Sequence, residues 1–88
     1  MRSSVPSLQY VIDSICANFT VDSMYELVKG RLNQGPFTVS EIALDIRCKD
    51  RTLDFGSSKA LAEAALEALA QRGNITMEGD CIYPGGSL

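Results

Sequence analysis

A chain of 88 residues, 45% hydrophobic and 22% charged, has the composition of one small globular domain and is too apolar to remain disordered. Its formal net charge is −3 and it holds no His, so the commonest metal ligand and the commonest general base are both missing. No apolar run approaches the ~20 residues needed to span a bilayer, and the N-terminal stretch lacks the uninterrupted apolar core of a signal peptide, so a cytoplasmic protein with no membrane partner is expected.

Residues 1–6 (MRSSVP) read as a flexible leader, and a single domain is expected over 7–84. From Ser7, a plausible N-cap after Pro6, the apolar residues Leu8, Val11, Ile12, Ile15, Cys16 and Phe19 recur at helical spacing, which predicts a first helix over 7–19. A second helix is expected over 22–34, capped by Asp22, with Met24, Leu27, Val28 and Leu32 as its apolar face. Cations Lys29 and Arg31 suit its C-terminal end, and Gly35-Pro36 stops it. Phe37 begins a short extended piece. Thr38-Val39-Ser40-Glu41 has the capping-box form, so a short third helix is expected over 38–46.

The stretch from Arg47 to Gly56 shows no clear period and reads as a loop of about ten residues, longer than the median connection. Ser57 or Ser58 is the expected cap of a helix over 57–72, built from strong helix formers and ended by Gly73. Leu61, Ala65, Leu66, Ala68 and Leu69 form its apolar side; Lys59, Glu63, Glu67 and Gln71 line the other. Two strands within 74–83 flank the turn Glu78-Gly79-Asp80, and residues 85–88 read as a loose tail. The fold class expected is thus mostly α with a small β-hairpin (α+β). The buried set should include Ile12, Ile15, Leu27, Val28, Phe37, Ile42, Ile46, Leu61, Leu66, Leu69, Ile75 and Ile82.

The segments GPFTVSEIALDI and ALAEAALEALAQRGNI, with the hairpin that follows, resemble a winged helix-turn-helix domain from about Asp22 to Tyr83. The phrase LEALAQRGNI looks like bacterial winged helices in which a long helix ends at Gly and leads into the first wing strand. GPFTVSEI is similar to small winged-helix modules of phage and plasmid replication proteins. The resemblance implies three core helices, here with an extra N-terminal helix. It also implies a recognition helix over 57–72 that offers Ser57, Ser58, Lys59, Ala62 and Glu63 to the major groove of double-stranded DNA. Three features depart from that pattern. The wing turn is acidic where Lys or Arg is usual, the recognition helix carries only one cation against Glu63 and Glu67, and the connection before it is long.

Charge is unevenly spread along the chain. Residues 47–59 carry four of the eight Lys and Arg against two carboxylates, a net +2, while the remainder sums to −5. Arg47, Lys49, Arg51 and Lys59 are therefore the candidate phosphate ligands, because cations displace condensed counterions from a nucleic-acid backbone. Ser57 and Ser58 would add hydroxyls and helix-start N–H groups, and Glu63 would accept from a cytosine amino group. Each has a plainer explanation: a solvated mixed-charge loop, simple capping, or a polar surface stripe.

Two functions follow. One is DNA binding in transcription regulation or DNA replication of a bacterial or mobile element. The other is a protein-interaction or oligomerisation module without nucleic-acid contact, using the acidic wing and residues 8–19. Those residues also offer a homodimer interface as an alternative to covering their own core. An enzyme is not expected: triads and zinc sites lose their usual His, and GSSKA lacks the spacing of a phosphate-binding loop. Cys16, Cys48 and Cys81 lie too far apart in sequence for a Cys-x-x-Cys site, so no metal or cofactor is expected.

Overall fold

The computed structural model describes residues 7–85; the leader 1–6 and residues 86–88 lie outside them. Four helices and three strands follow in the order α1 (Leu8–Ile15), α2 (Val21–Leu32), β1 (Phe37–Thr38), α3 (Val39–Lys49), α4 (Phe55–Gln71), β2 (Ile75–Glu78) and β3 (Cys81–Pro84). The chain is mostly helical, with a small antiparallel sheet in the strand order β1-β3-β2. β3 lies between its hairpin partner β2 and the distant β1, with Phe37 opposite Ile82 and Thr38 opposite Cys81.

Local chemistry accounts for where most helices begin. Ser7 caps α1 by accepting the Tyr10 N–H. The helix ends earlier than periodicity suggested, because Cys16 turns left-handed at φ 59° and the Ala17 N–H returns to Ile12 O at 3.0 Å. Thr20, not Asp22, caps α2. Its hydroxyl accepts the Ser23 N–H at 3.1 Å while Ser23 Oγ accepts the Thr20 N–H at 2.9 Å, so two N–H groups are satisfied reciprocally. The expected Thr38–Glu41 capping box is present.

The largest difference from the sequence reading concerns residues 47–56. The third helix runs on to Lys49 and the fourth starts at Phe55, so the expected ten-residue loop shrinks to residues 50–54. Cations at 47 and 49 suit a helix C-terminus, where free carbonyls favour positive charge. The short link is held by Asp50, which accepts from the Thr52 N–H and hydroxyl at 3.1 and 2.6 Å, and by Leu53, which is buried.

α4 is the centre of the domain. Its inner face buries Leu61, Ala62, Ala65, Leu66 and Leu69, and α3, α1 and α2 pack around it. Met24, Val28, Ile42, Ile46 and Ile82 close the core with no exposure at all. Of the expected buried set, Ile15 and Leu27 are only half-buried. Polar contacts fasten the helices at the edges. Arg31 and Asp45 join α2 to α3 through two hydrogen bonds of 2.7 and 3.1 Å, and the Arg72 guanidinium at the end of α4 lies 5.3 Å from the centre of the Tyr25 ring.

α1 covers its own subunit. Leu8, Val11 and Ile12 are buried in the shared core, which leaves Gln9, Tyr10, Asp13 and Ser14 on its outer side. An apolar homodimer contact through residues 8–19 therefore has lost most of the apolar face it was expected to use. Gly85, expected in the loose tail, is tied instead: its N–H donates to Asn74 O at 2.8 Å, and a Cβ there would run into the backbone of Gly73 and Asn74.

Candidate nucleic-acid interface

The start of α4 is set by Asp54. This residue caps the helix in extended backbone and accepts the Ser57 N–H at 2.8 Å. Asp is as good a cap as Ser, so the helix gains Phe55 and Gly56 at its front, two residues that the sequence reading left in a loop. The Asp54 carboxyl is held below the usual carboxylate range by the Ser57 N–H and then by the Ser57 side chain. Asp50 is likewise lowered, first by the Thr52 hydroxyl, then by the Thr52 N–H, with a further contribution from the Asn18 N–H.

These bonds change the roles open to the two serines. Ser58 is fully buried, its N–H donates to Asp54 O at 3.1 Å, and its hydroxyl donates to the same oxygen at 3.0 Å. It has no surface to offer a ligand, which corrects the expectation that it faces a groove. Ser57 is half-buried and its N–H already serves the cap. A phosphate at the helix start would also meet the Asp54 carboxylate, so the anion site expected from these serines is occupied from within the chain. Ala62, also expected on the reading face, is buried.

The cations fare differently. Arg47, Lys49, Arg51 and Lys59 are all exposed. Among the described residues, the only ion pair is Arg31–Asp45, so none of the four forms a salt bridge, although Arg47 helps to lower the Asp54 carboxyl through its charge. Arg47 lies at the end of α3 with its Nε donating to Leu53 O at 3.2 Å, which carries its guanidinium to the foot of α4. Arg51 stands in the link, and Lys59 lies one turn into α4. Lys49 is separated from them. It lines a shallow cleft with Phe19, Ser23, Glu26 and Leu27 on the α2 side. Two positions apart on a helix point about 200° apart, so Arg47 and Lys49 serve opposite flanks of α3.

The outer face of α4 presents Phe55, Lys59 and Glu63 at successive turns, all exposed. Phe55 is 40% exposed and was missed by the sequence reading. Recognising Asp54 as a cap three residues before Ser57 would have placed it on the helix.

The hairpin differs in charge and in freedom. Gly79 takes φ +60° in a two-residue loop, the pattern of a type II′ turn, and the exposed Glu78 and Asp80 flank it. The Asp80 carbonyl accepts the Val39 N–H at 3.1 Å, so the turn is pinned against the first residue of α3 rather than extended as an arm.

Elsewhere, a groove of about 650 Å³ runs between α2 and the α4–β2 junction. Asp22 and Glu26 offset Lys29 and Arg72 along it, so it selects no charge. No cluster of three or more His, Cys, Asp or Glu that could hold a metal ion occurs among the described residues, and none of their helices is long and apolar enough to cross a membrane. All three cysteines are free and exposed. Comparison with protein-family models, with curated proteins and with solved structures finds no match.

Proposed function

We propose that this chain is a winged-helix domain that binds double-stranded DNA, acting in transcription regulation or replication of a bacterial or mobile element. The element order from α2 to β3, the strand order β1-β3-β2 and the five-residue link before α4 support the winged-helix reading. In that reading α3 and α4 form the helix-turn-helix, α4 enters the major groove, and β2–β3 is the wing. The observation that carries DNA binding is the group of exposed cations Arg47, Arg51 and Lys59 around the start of α4, none of them in a salt bridge, which outnumber the exposed Asp54 carboxylate beside them. With so few cations the interaction is weak in a monomer and falls steeply with salt.

A second reading, a protein-interaction module, draws on different residues. The wing turn is acidic and pinned back, and Glu63 and Glu67 follow Lys59 along α4. Fluorescence anisotropy with mixed duplex DNA, titrated at low and physiological salt, separates the two. DNA binding predicts a measurable affinity at low salt that drops with added salt. No binding at low salt would remove the DNA reading and leave the interaction module.

A further inference from the structure

We infer that Phe55 is a base-reading residue whose ring packs against the 5-methyl group of a thymine, so that one thymine in the bound DNA becomes indispensable. The inference rests on the DNA reading proposed above and adds to it a residue and a base. Isolated exposed apolar side chains are ordinary on protein surfaces; what sets Phe55 apart is its company. It is the first residue of α4 and is 40% exposed, whereas Phe37 is buried and Phe19 is half-buried. Arg47 reaches Leu53 O two residues upstream of it, Arg51 precedes it in the link, and Lys59 follows one turn later on the same face. These three cations outnumber the exposed Asp54 carboxylate next to the ring and so favour a polyanion there, whereas an apolar protein surface would have to bury unpaired charges to reach it.

The chemistry of the ring then narrows what it reads. A phenyl group has no hydrogen-bonding atom, so it discriminates only by apolar contact, and the apolar feature on the major-groove edges of the bases is the thymine methyl. Access on its flank is open. Gly56 is exposed and has no side chain, and a Cβ added there would meet only Asp54 Oδ1 at 4.0 Å. The backbone that carries the ring is fixed by the three hydrogen bonds between Asp54 and the two serines, so the ring is presented from a rigid helix start.

The test uses the full 88-residue chain. Wild type and Phe55→Ala are used to select sites from a randomised duplex library, and single thymines of the wild-type site are then replaced by deoxyuridine, which removes only the methyl. The expected result is one thymine position whose replacement weakens wild-type binding by about fourfold, the worth of one buried carbon group. Phe55→Ala should show that same loss on the unmodified site and no further loss on the deoxyuridine site, with Phe55→Leu keeping most of the affinity. Circular dichroism should show both variants folded, since Phe55 is not among the residues of the core cluster. A selected site without thymine dependence, or with equal dependence in Phe55→Ala, overturns the inference while DNA binding stands; so does tighter binding to single strands than to duplex. Failure of wild type to enrich any site overturns this inference, and absence of duplex binding at low salt as well overturns the DNA reading with it.

Discussion

The start of α4 and the β2–β3 turn, the two regions that the proposed winged-helix reading would bring to a duplex, carry opposite charge. The first gathers Arg47, Arg51 and Lys59; the second exposes Glu78 and Asp80. They also differ in how they are held. The helix start is capped by its own Asp54, which leaves Phe55 and Lys59 outward, whereas the turn is fastened to Val39 at the front of α3. Any affinity for a polyanion would therefore reside in the helix and its preceding link, with the hairpin as a repulsive neighbour. Net charge −3 for the chain hides both signs.

The two regions share one core, and a lesion there should have the largest effect. Leu66 is fully buried on the inner face of α4. Leu66→Ala should lower the unfolding free energy by about 2–5 kcal/mol, measured by urea denaturation, and should loosen both regions in one transition. A loss confined to one of them would mean that they do not share a core.

Next in size are the charge changes. Arg51→Ala with Lys59→Ala should lower the slope of log affinity against log salt by about 2, or about 1 for each phosphate contact. Glu78→Lys with Asp80→Lys should act in the opposite direction and tighten binding. Unchanged affinity in the second pair would put the turn beyond the reach of the DNA and leave α4 as the sole contact.

Thr38→Ala is a smaller lesion on the hairpin's side alone. It removes the capping box that begins α3, beside the point where Asp80 is tied, at a cost of about 0.5–2 kcal/mol, again read by denaturation.

The helix-start side responds to acid. Asp50 and Asp54 have carboxyl groups lowered by their hydrogen bonds. Their stabilising effect is complete above the unfolded carboxylate value of about 3.9 and is lost as pH falls through the lower folded value. Asp54→Asn keeps an accepting oxygen without a titration, so its thermal stability should fall less than wild type's when the pH is taken from 5 toward about 2. An equal fall in both proteins would show that Asp54 takes no part in the acid response.

Much of this was legible along the chain. Ser7, the Thr38–Glu41 box, Gly73 and the Glu78-Gly79-Asp80 turn act within four residues of themselves, and helical spacing located the apolar face of α4. The misplaced features had competing local signals. Asp54 and Ser57 are equally good caps, and only the choice between them decides whether Phe55 belongs to a helix or to a loop. Asp22 lost to Thr20 because Thr20 and Ser23 satisfy each other. The cations Arg47 and Lys49 suit a loop and a helix end equally, because charge alone does not distinguish the two.

The four helices and the β2–β3 hairpin could be located along the chain, because caps, turn glycines and helical periodicity are short-range effects of backbone sterics and hydrogen bonding. Which face each residue turned outward depended on packing between distant segments. That packing seated Ser58 and Ala62 under the helix, set Lys49 apart from Arg47, and closed α1 onto its own core. It also inserted β3 between β2 and β1. Each of these outcomes depends on partners brought together from distant positions, as when Asn18 meets Asp50, Val39 meets Asp80 and Phe37 meets Ile82. Burial of the α4 inner face is what brings them together, and the charged surface at its start is a consequence of that packing.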